Sequence, residues 1–375
     1  MPGVLVALPL LVLLAAAAAV PYLARRRGRD TGYVLAAVFI VALVPLLVPA
    51  ASVLRGERLV FSVPWLPGLD VRFTLALDGL SLFFALVVLG IGAVVMAYAA
   101  RYLEMDVSHA RLYTLLTVFG AAMLGLVLAG DVIVLYVFWE LTSVLSFLLI
   151  GGSGRAEARA AATRALLVTS LGGLALFAGL VLMGLASGTT DMALILSDPG
   201  RVAASATGPF VLALLLAGAF TKSAQFPFHF WLPGAMVAPT PVSTYLHAAT
   251  MVKAGIYLVA RMEPLFGVSG GPWREIIVIV GLVTALAGAF LALKQHDLKE
   301  LLAYSTVSQL GFLMALAGVG TFPALAAMAA HLLAHALYKS TLYMAVGIID
   351  REAGSRDIRQ LAELRNAMPL TATVT

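Results

Sequence analysis

Four charged residues stand where charge is expensive. Glu140 lies in the stretch DVIVLYVFWELTSVLSFLLIGG that starts at Asp131, and Lys222, Lys253 and Lys339 lie in three further apolar stretches. A charge at the centre of a bilayer costs about 2.5 to 3.5 kcal/mol on insertion scales, and residues that bear this cost mark ion or proton pathways. Repeating it four times, with both signs present, points to a chain that moves charge.

Glu140 and Lys222 have opposite sign and lie at comparable depth in their stretches. Opposite charges within about 4 to 6 Å favour both ionised forms, while burial disfavours them. A pair that opens and closes would therefore switch the proton affinity of the lysine. The other reading is a static ion pair that pins two helices, and buried pairs stabilise weakly. His331, His335 and Lys339 are spaced by four, which puts them on one helical stripe. Histidine titrates near neutrality and relays protons through either ring nitrogen; interhelical hydrogen bonding is the competing reading. His247 and Lys253 share a stretch six residues apart, about 120° around a straight helix, so they would flank a path rather than stack. Lys253 is too central to snorkel, and a carboxylate from another helix is its alternative partner. Lys294, His296, Asp297, Lys299 and Glu300 form a charge run at a helix junction. Solvated loop charges account for such a run, with an inward-pointing Lys299 as the alternative. Asp78, before Gly79 and Ser81, reads as a helix N-cap.

The elements that position these residues follow from composition. Of 375 residues, 62% are hydrophobic and 11% charged, against about 25% charged in soluble domains. Apolar stretches long enough to span a bilayer recur along the chain, at 4–23, 32–53, 79–100, 112–130, 132–151, 163–186, 208–236, 241–262, 274–293, 298–319 and 323–349. The expectation is an all-α polytopic membrane protein of about eleven complete transmembrane helices. A twelfth begins near Met368 and is cut at Thr375, as in a piece of a longer polypeptide. With the N-terminus outside, inside loops hold 15 basic residues and outside segments 6, which favours that orientation. Residues 57–77 carry two β-prone runs around PWLPG and predict a short extracellular hairpin. Residues 187–207 read as a loop.

The seventh stretch is irregular. After LALLLAGAF it continues TKSAQFPFHFWLP, with Lys222, Gln225, Pro227, His229 and Pro233. Each proline removes a helix hydrogen bond and clashes with the preceding turn. A simple kink is one outcome. A discontinuous helix with polar groups at the break, a device that places charge at the midplane of transporters, is the outcome that Lys222, Gln225 and His229 favour.

Other signatures exclude function classes. The net charge of +5 comes from arginines scattered among short loops, which is a poor nucleic-acid footprint. There is no cysteine, so disulfides, thiolate metal sites and cysteine nucleophiles are excluded. No Walker A lysine loop and no dinucleotide GxGxxG after a strand occur. The histidines do not form a redox-metal set, and no cluster of buried carboxylates or hydroxyls makes a sodium site. The first stretch lacks a basic region before its apolar run and is followed by Arg25, Arg26, Arg27 and Arg29, as in a retained first helix rather than a cleaved signal. The expectation is a transport subunit, not an enzyme, without cofactor or metal, driven by an ion gradient or by a partner.

The runs VFWELTSVLSFLLIGG, GAFTKSAQFPFHFWLPGAMVAPTPVSTYLHAATMVKAGIYLVAR and KQHDLKELLAYSTVSQLGF resemble the MrpA subunit of the Mrp-type multisubunit sodium/proton antiporters, as does the tail IIDREAGSRDIRQLAEL. The superfamily includes the proton-pumping membrane subunits of respiratory complex I; MVKAG around Lys253 and FWELTS around Glu140 look like the Mrp form. The resemblance implies inverted five-helix repeats, each with a broken helix, and a charged axis along the middle of the membrane. It implies N-terminal helices over 1–110, a first repeat over 111–262 and a second over 263–375, truncated before its own broken helix. Glu140 and Lys222 would be the carboxylate–lysine pair of the first repeat. His247 and Lys253 would continue the axis, and Lys299, His331, His335 and Lys339 would belong to the second repeat. It further implies proton conduction that drives sodium export, pH homeostasis, subunits B to G and lipids as partners, and a bacterial cytoplasmic membrane. A pumping subunit of a redox-driven or hydrogenase complex and a structural scaffold are the alternative functions.

Overall fold

The computed structural model describes residues 3–69, 71–103, 109–267, 271–361 and 364–374. Asp70 of the expected hairpin, Ala362 and Glu363 of the tail motif, and Thr375 lie outside the described residues. In chain order the helices begin with α1 (Val4–Arg27), α2 (Thr31–Leu47) and a single turn, α3 (Ala50–Leu54). Strands β1 (Leu59–Leu66) and β2 (Val71–Leu77) then pair antiparallel, Leu59 opposite Leu77 and Pro64 opposite Arg72, as the hairpin expectation required. There follow α4 (Gly79–Tyr102), α5 (His109–Leu128), α6 (Val132–Ile150), α7 (Ala156–Ser187), α8 (Met192–Ser197), α9 (Pro199–Ala203) and α10 (Gly208–Lys222). The short α11 (Trp231–Gly234) and α12 (Thr240–Ser243) precede α13 (Ala254–Phe266), α14 (Trp273–Ala292), α15 (Leu298–Val319) and α16 (Phe322–Ala353). Two short pieces, α17 (Leu364–Ala367) and α18 (Pro369–Val374), follow.

Among the described residues, 8 helical stretches are long and apolar enough to cross a membrane. That is fewer than the apolar stretches in the sequence, for two physical reasons. α1 and α2 run on with only the short turn at Gly28 and count as one stretch, Val4–Leu47. The seventh and eighth stretches are segmented, leaving α10 and α13 at 15 and 13 residues. The connection over 187–207 is also not a plain loop: the Asp191 side chain accepts from the Ala193 and Leu194 amides and starts α8, and Pro199 opens α9.

Because lipid tails are as apolar as a protein interior, helix packing in a membrane rests on small residues that let backbones approach. α14 and α15 meet this way: a Cβ on Gly311 would stand 2.4 Å from the Ala285 amide nitrogen. α10 packs on α7, α1 on α5, and α2 on α4. Outward side chains such as Leu286 and Phe290 of α14 remain exposed, as lipid-facing residues are. The Asp78 expectation holds: its side chain accepts from the Ser81 amide while Ser81 Oγ accepts from the Asp78 amide, a reciprocal capping box at α4.

One local device occurs twice. Before α6, Asp131 caps the helix through the Ile133 and Val134 amides and bridges antiparallel to Asp191. Before α15, Asp297 caps through the Lys299 and Glu300 amides and bridges to Asp357. Asp297 follows Asp131, and Asp357 follows Asp191, by the same interval (297 minus 131 and 357 minus 191 are both 166). α7 and α16 are each 32 residues long and stop at left-handed glycines, Gly188 and Gly354. The first bridge sits at the hairpin end of the molecule, where the Gly130 amide donates to Thr74 of β2. The second sits at the other end, beside a cavity of about 630 Å³ lined by Tyr102, Arg155, Ala238, Lys299 and Asp350 among others.

Candidate ion pathway at two helix breaks

The first break follows Lys222. Ser223 (φ −92°, ψ 20°) leaves the helix and Ala224 turns left-handed at φ 48°, the one non-glycine residue with positive φ among the described residues. Pro227, joined to Phe226 by a cis peptide bond, prevents resumption, and helix returns at Trp231. The freed backbone groups find local partners, as buried amides must. The Gln225 amide donates to the Phe220 carbonyl, the Phe226 amide to Thr284 Oγ1, and the Trp231 indole to the Thr221 carbonyl, at 2.8, 2.9 and 3.0 Å. Gln225 Nε2 donates to the Ser223 carbonyl at 2.8 Å. His229, at the edge of the break, stacks on Phe226 with ring centroids 5.5 Å apart. Pro233 sits within the short α11.

Lys222 is fully buried. Its Nζ donates to the Trp139 carbonyl at 2.9 Å and to Ser143 Oγ at 2.6 Å, and stands 5.1 Å from the Trp139 ring. Both partners belong to α6, on either side of Glu140. The Glu140 carboxylate itself turns to α7, where Ser170 Oγ donates to Oε2 at 3.4 Å. Gly173 makes room for it: a Cβ there would be 1.7 Å from Oε1. Glu140 and Lys222 are within electrostatic reach of one another, yet they do not form one of the ion pairs within 4.0 Å found among the described residues. They share a helix surface without touching, because the ammonium takes a carbonyl and a hydroxyl instead.

The eighth stretch breaks too, which its sequence, without a proline after Pro241, did not predict. Thr244–Ala249 form a π-helical turn, and Thr250 (φ −127°, ψ −86°) ends it. The cause is side-chain competition for the backbone: Thr250 Oγ1 donates to the Tyr245 carbonyl at 2.6 Å. Tyr245 in turn donates to the Val88 carbonyl of α4 at 3.1 Å and anchors the turn. Lys253 lies just past this break, buried, with its Nζ donating to the Ala248 carbonyl. No carboxylate lies within 4.0 Å of it among the ion pairs of the described residues. π-turns of this kind concentrate at functional sites.

The remaining expected residues divide into two groups. On α16, His331 Nε2 is 2.7 Å from Gln309 Oε1, and since that oxygen only accepts, the imidazole donates. Lys339 Nζ donates to Ser305 Oγ at 2.6 Å. His335 is buried with neither ring nitrogen hydrogen-bonded, within electrostatic reach of Lys253, Lys339 and His331. The second group is His247, equally buried and without a hydrogen bond, 5.9 Å from the Trp231 ring and within reach of Lys299. Lys299 points inward: it is 2% exposed and Nζ donates to the Ala238 carbonyl at 2.8 Å, at the wall of the large cavity. Lys294 lies over the Phe290 ring instead, 4.4 Å from its centroid. Among the described residues no group of three or more His, Cys, Asp or Glu converges as metal ligands would.

Trp139, Ser143, Ser170, Gly173, Ser223, Thr250, Ser305 and Gln309 complete these contacts and were not singled out from sequence. A signal existed for some of them. Trp139 and Ser143 are four apart on α6, and Gly172-Gly173 is a doublet inside a long apolar helix.

The fold and these contacts define a multi-pass helical membrane protein whose ionisable residues gather at interrupted helices. Residues 129–375 match the family model described as NADH:quinone oxidoreductase/Mrp antiporter, transmembrane, and residues 65–113 match that of NADH-ubiquinone oxidoreductase (complex I), chain 5 N-terminus. The chain belongs to this NADH:quinone oxidoreductase/Mrp antiporter membrane family. It is 44% identical over 362 residues to a putative antiporter subunit mnhA2 of Staphylococcus aureus (strain MRSA252), covering 92% of this chain and 45% of that protein. It is 46% identical over 338 residues to a probable K(+)/H(+) antiporter A/B subunit of Rhizobium meliloti (strain 1021), covering 89% of this chain and 34% of that protein. The chain thus spans less than half the length of these relatives. A chain in the structure of the Mrp complex from Dietzia sp. DQ12-45-1b superposes with a TM-score of 0.90 at 47% identity, over 98% of this chain and 40% of that one. A chain of an archaeal membrane-bound sulfane sulfur reductase shares the fold, with a TM-score of 0.87 at 23% identity, over 98% of this chain and 76% of that one.

Proposed function

We propose that this chain is the N-terminal membrane part of an MrpA-type subunit in an Mrp-type monovalent cation/proton antiporter. It acts as a transporter component and not as an enzyme. Protons pass along Glu140, Lys222, His247, Lys253, Lys299, His331, His335 and Lys339, and their downhill passage drives cation export in the assembled complex. The observation that carries this reading is the bonding of Lys222 and Lys253. Each is buried at a helix break and donates to backbone carbonyls or a hydroxyl rather than being tied to a carboxylate, so its proton is not locked in an ion pair. The broken helices agree with the way transporters expose polar groups at mid-membrane.

In this reading residues 111–262 and 263–375 are inverted five-helix repeats behind N-terminal helices over 1–110. The twin aspartate bridges at opposite ends of the molecule, separated by one constant interval, support it. The N-terminus and the hairpin face the outside of a bacterial cytoplasmic membrane, following the basic-residue bias, and subunits B to G and lipid complete the assembly. Sodium is the exported cation in our reading; the Rhizobium relative's name specifies K(+), so both ions belong in the test. Glu140→Ala in the complete complex is expected to abolish sodium- or potassium-dependent proton flux in everted vesicles. Unchanged flux with both cations would end the assigned role of Glu140.

The family description also covers NADH:quinone oxidoreductase, which supports a second reading, a pumping subunit of a redox-driven complex. Copurification with flavin, iron–sulfur or quinone-binding subunits would favour it, and antiport in vesicles without any redox donor would oppose it.

A further inference from the structure

The two broken helices are joined beside their lysines. Ser223, the residue after Lys222, is fully buried, and its hydroxyl donates at 2.6 Å to the carbonyl of Val252, the residue before Lys253. The approach is close enough to exclude any cushion of side chain. A Cβ on Gly255 would stand 2.2 Å from the Ala219 carbonyl oxygen and 2.4 Å from Ser223 Oγ. Backbone of α13 just past the second break therefore rests directly on backbone of α10 just before the first.

Each side of this link is tied to a lysine ammonium. The Ser223 amide still donates to the Ala219 carbonyl of α10 at 3.0 Å, so Ser223 follows the end of the helix that carries Lys222. That end is held by the Lys222 bonds to Trp139 and Ser143 on α6. Across the link, the Lys253 amide donates to the Thr250 carbonyl at 2.9 Å and its Nζ to the Ala248 carbonyl, so Lys253 itself closes the second break. An ammonium that loses its proton loses its charge-assisted bonds. The hold of α6 on the end of α10 is then weakened, and the Ser223–Val252 bond is the contact that would carry this change to the second break.

We propose that Ser223 is a positioning residue that couples the state of Lys222 to the backbone around Lys253. This rests on the reading that both lysines lie on the ion path, and it adds the part that makes their steps dependent on one another. Coupling of this kind needs an element with two arrangements that both sites bias; the segment Thr250–Lys253, bounded by a π-turn and by α13, is that element.

Amide hydrogen exchange reads local opening directly. The full-length polypeptide in its solubilised complex is compared with and without Lys222→Met, which keeps bulk and removes the charge, in backgrounds carrying Ser223 or Ser223→Ala. We expect Lys222→Met to speed exchange at Thr250–Lys253 at least fivefold in the Ser223 background and less than twofold in the Ser223→Ala background. Equal acceleration in both backgrounds, or none in the Ser223 background, overturns the proposal. If Ser223→Ala does not assemble, Ser223→Thr keeps the hydroxyl and must preserve the fivefold response, while Gly255→Ala pushes the hydroxyl away and must abolish it; the reverse pattern also overturns the proposal. Antiport measured on the same samples separates this from the transport reading. If Lys222→Met leaves antiport intact while exchange depends on Ser223, the coupling stands and the transport role falls. If Lys222→Met abolishes antiport while exchange ignores Ser223, the coupling falls and the transport role stands.

Discussion

Gly173 of α7 faces the Glu140 carboxylate of α6 with no space between them for another carbon: a Cβ at Gly173 would lie 1.7 Å from Oε1. The carboxylate owes its position to that missing side chain. It is held toward α7, with Ser170, rather than drawn across to Lys222.

Gly173→Ala should therefore displace Glu140 without touching its chemistry. Overpacking of this kind costs about 1 to 3 kcal/mol, which at about 1.4 kcal/mol per decade corresponds to about a five- to hundredfold loss where the cost falls on transport. The expected outcome is at least about a fivefold drop in cation-dependent proton flux in everted vesicles at unchanged assembly. Gly184→Ala on the same helix, whose nearest atom is 3.5 Å from the added carbon, is the control and should be near normal.

Ser143 supplies the shorter of the two bonds to the Lys222 ammonium. A hydrogen bond to a charged group contributes about 1.5 to 3 kcal/mol. Ser143→Ala is expected to cut flux by about tenfold or more while Ser143→Thr retains most of it. Equal flux in Ser143→Ala and the parent would show that the Trp139 carbonyl alone suffices.

At the hairpin end, Asp78 caps α4 and receives Arg261 of α13 at 2.5 and 3.0 Å. Burial pushes the Asp78 carboxyl up, but the hydrogen bond and charge of Arg261, helped by Ser81, outweigh it and hold the group at about 2, below its ordinary 3.8. A carboxyl depressed on folding stabilises the fold above its unfolded value and loses that contribution as pH falls through the folded one. Asp78→Asn should lower the thermal midpoint of the solubilised complex at pH 7, with a loss on the order of 2 kcal/mol. The gap to the parent should stay constant down to about pH 4 and close between about pH 4 and 2. A gap that closes near neutrality would assign the effect to another group.

Glu263 of α13 ties the start of α14 to the same end of the molecule. Its Oε2 accepts from the Trp273 indole at 2.8 Å and its Oε1 from Arg274 at 2.6 and 2.9 Å. The arginine is partly exposed, which puts the cost of losing the carboxylate at the low end for a buried pair, about 3 kcal/mol. Glu263→Ala is expected to lower thermal stability by that order and Glu263→Gln by less. Because the latch is remote from both helix breaks, flux per assembled complex should change less than twofold in either variant.

Much of this architecture was legible in the residues because its causes are local. Apolar length marks the spans, PWLPG between β-prone runs marks the hairpin, and Asp78 before Ser81 marks a cap. Pro227 next to Lys222, Gln225 and His229 marks the first break, since a proline cannot donate wherever it sits. The motif runs around Glu140, Lys222 and Lys253 were enough to indicate the family.

The second break was not legible. Thr250 interrupts its helix through a side-chain bond to Tyr245, and Tyr245 is held by Val88, 157 residues earlier in the chain. The same sequence distance hides the partners of the lysines. Lys222 takes Trp139 and Ser143, 83 and 79 residues earlier, and Lys299 turns inward to Ala238, 61 residues earlier. The chain by itself determined which residues carry charge into the apolar interior, since residue type and hydrophobic length are properties of the string. Only the tertiary structure decided what each charge touches: an ammonium takes the acceptors that packing brings within about 3 Å, and for Lys222 those are a carbonyl and a hydroxyl flanking Glu140, not its carboxylate.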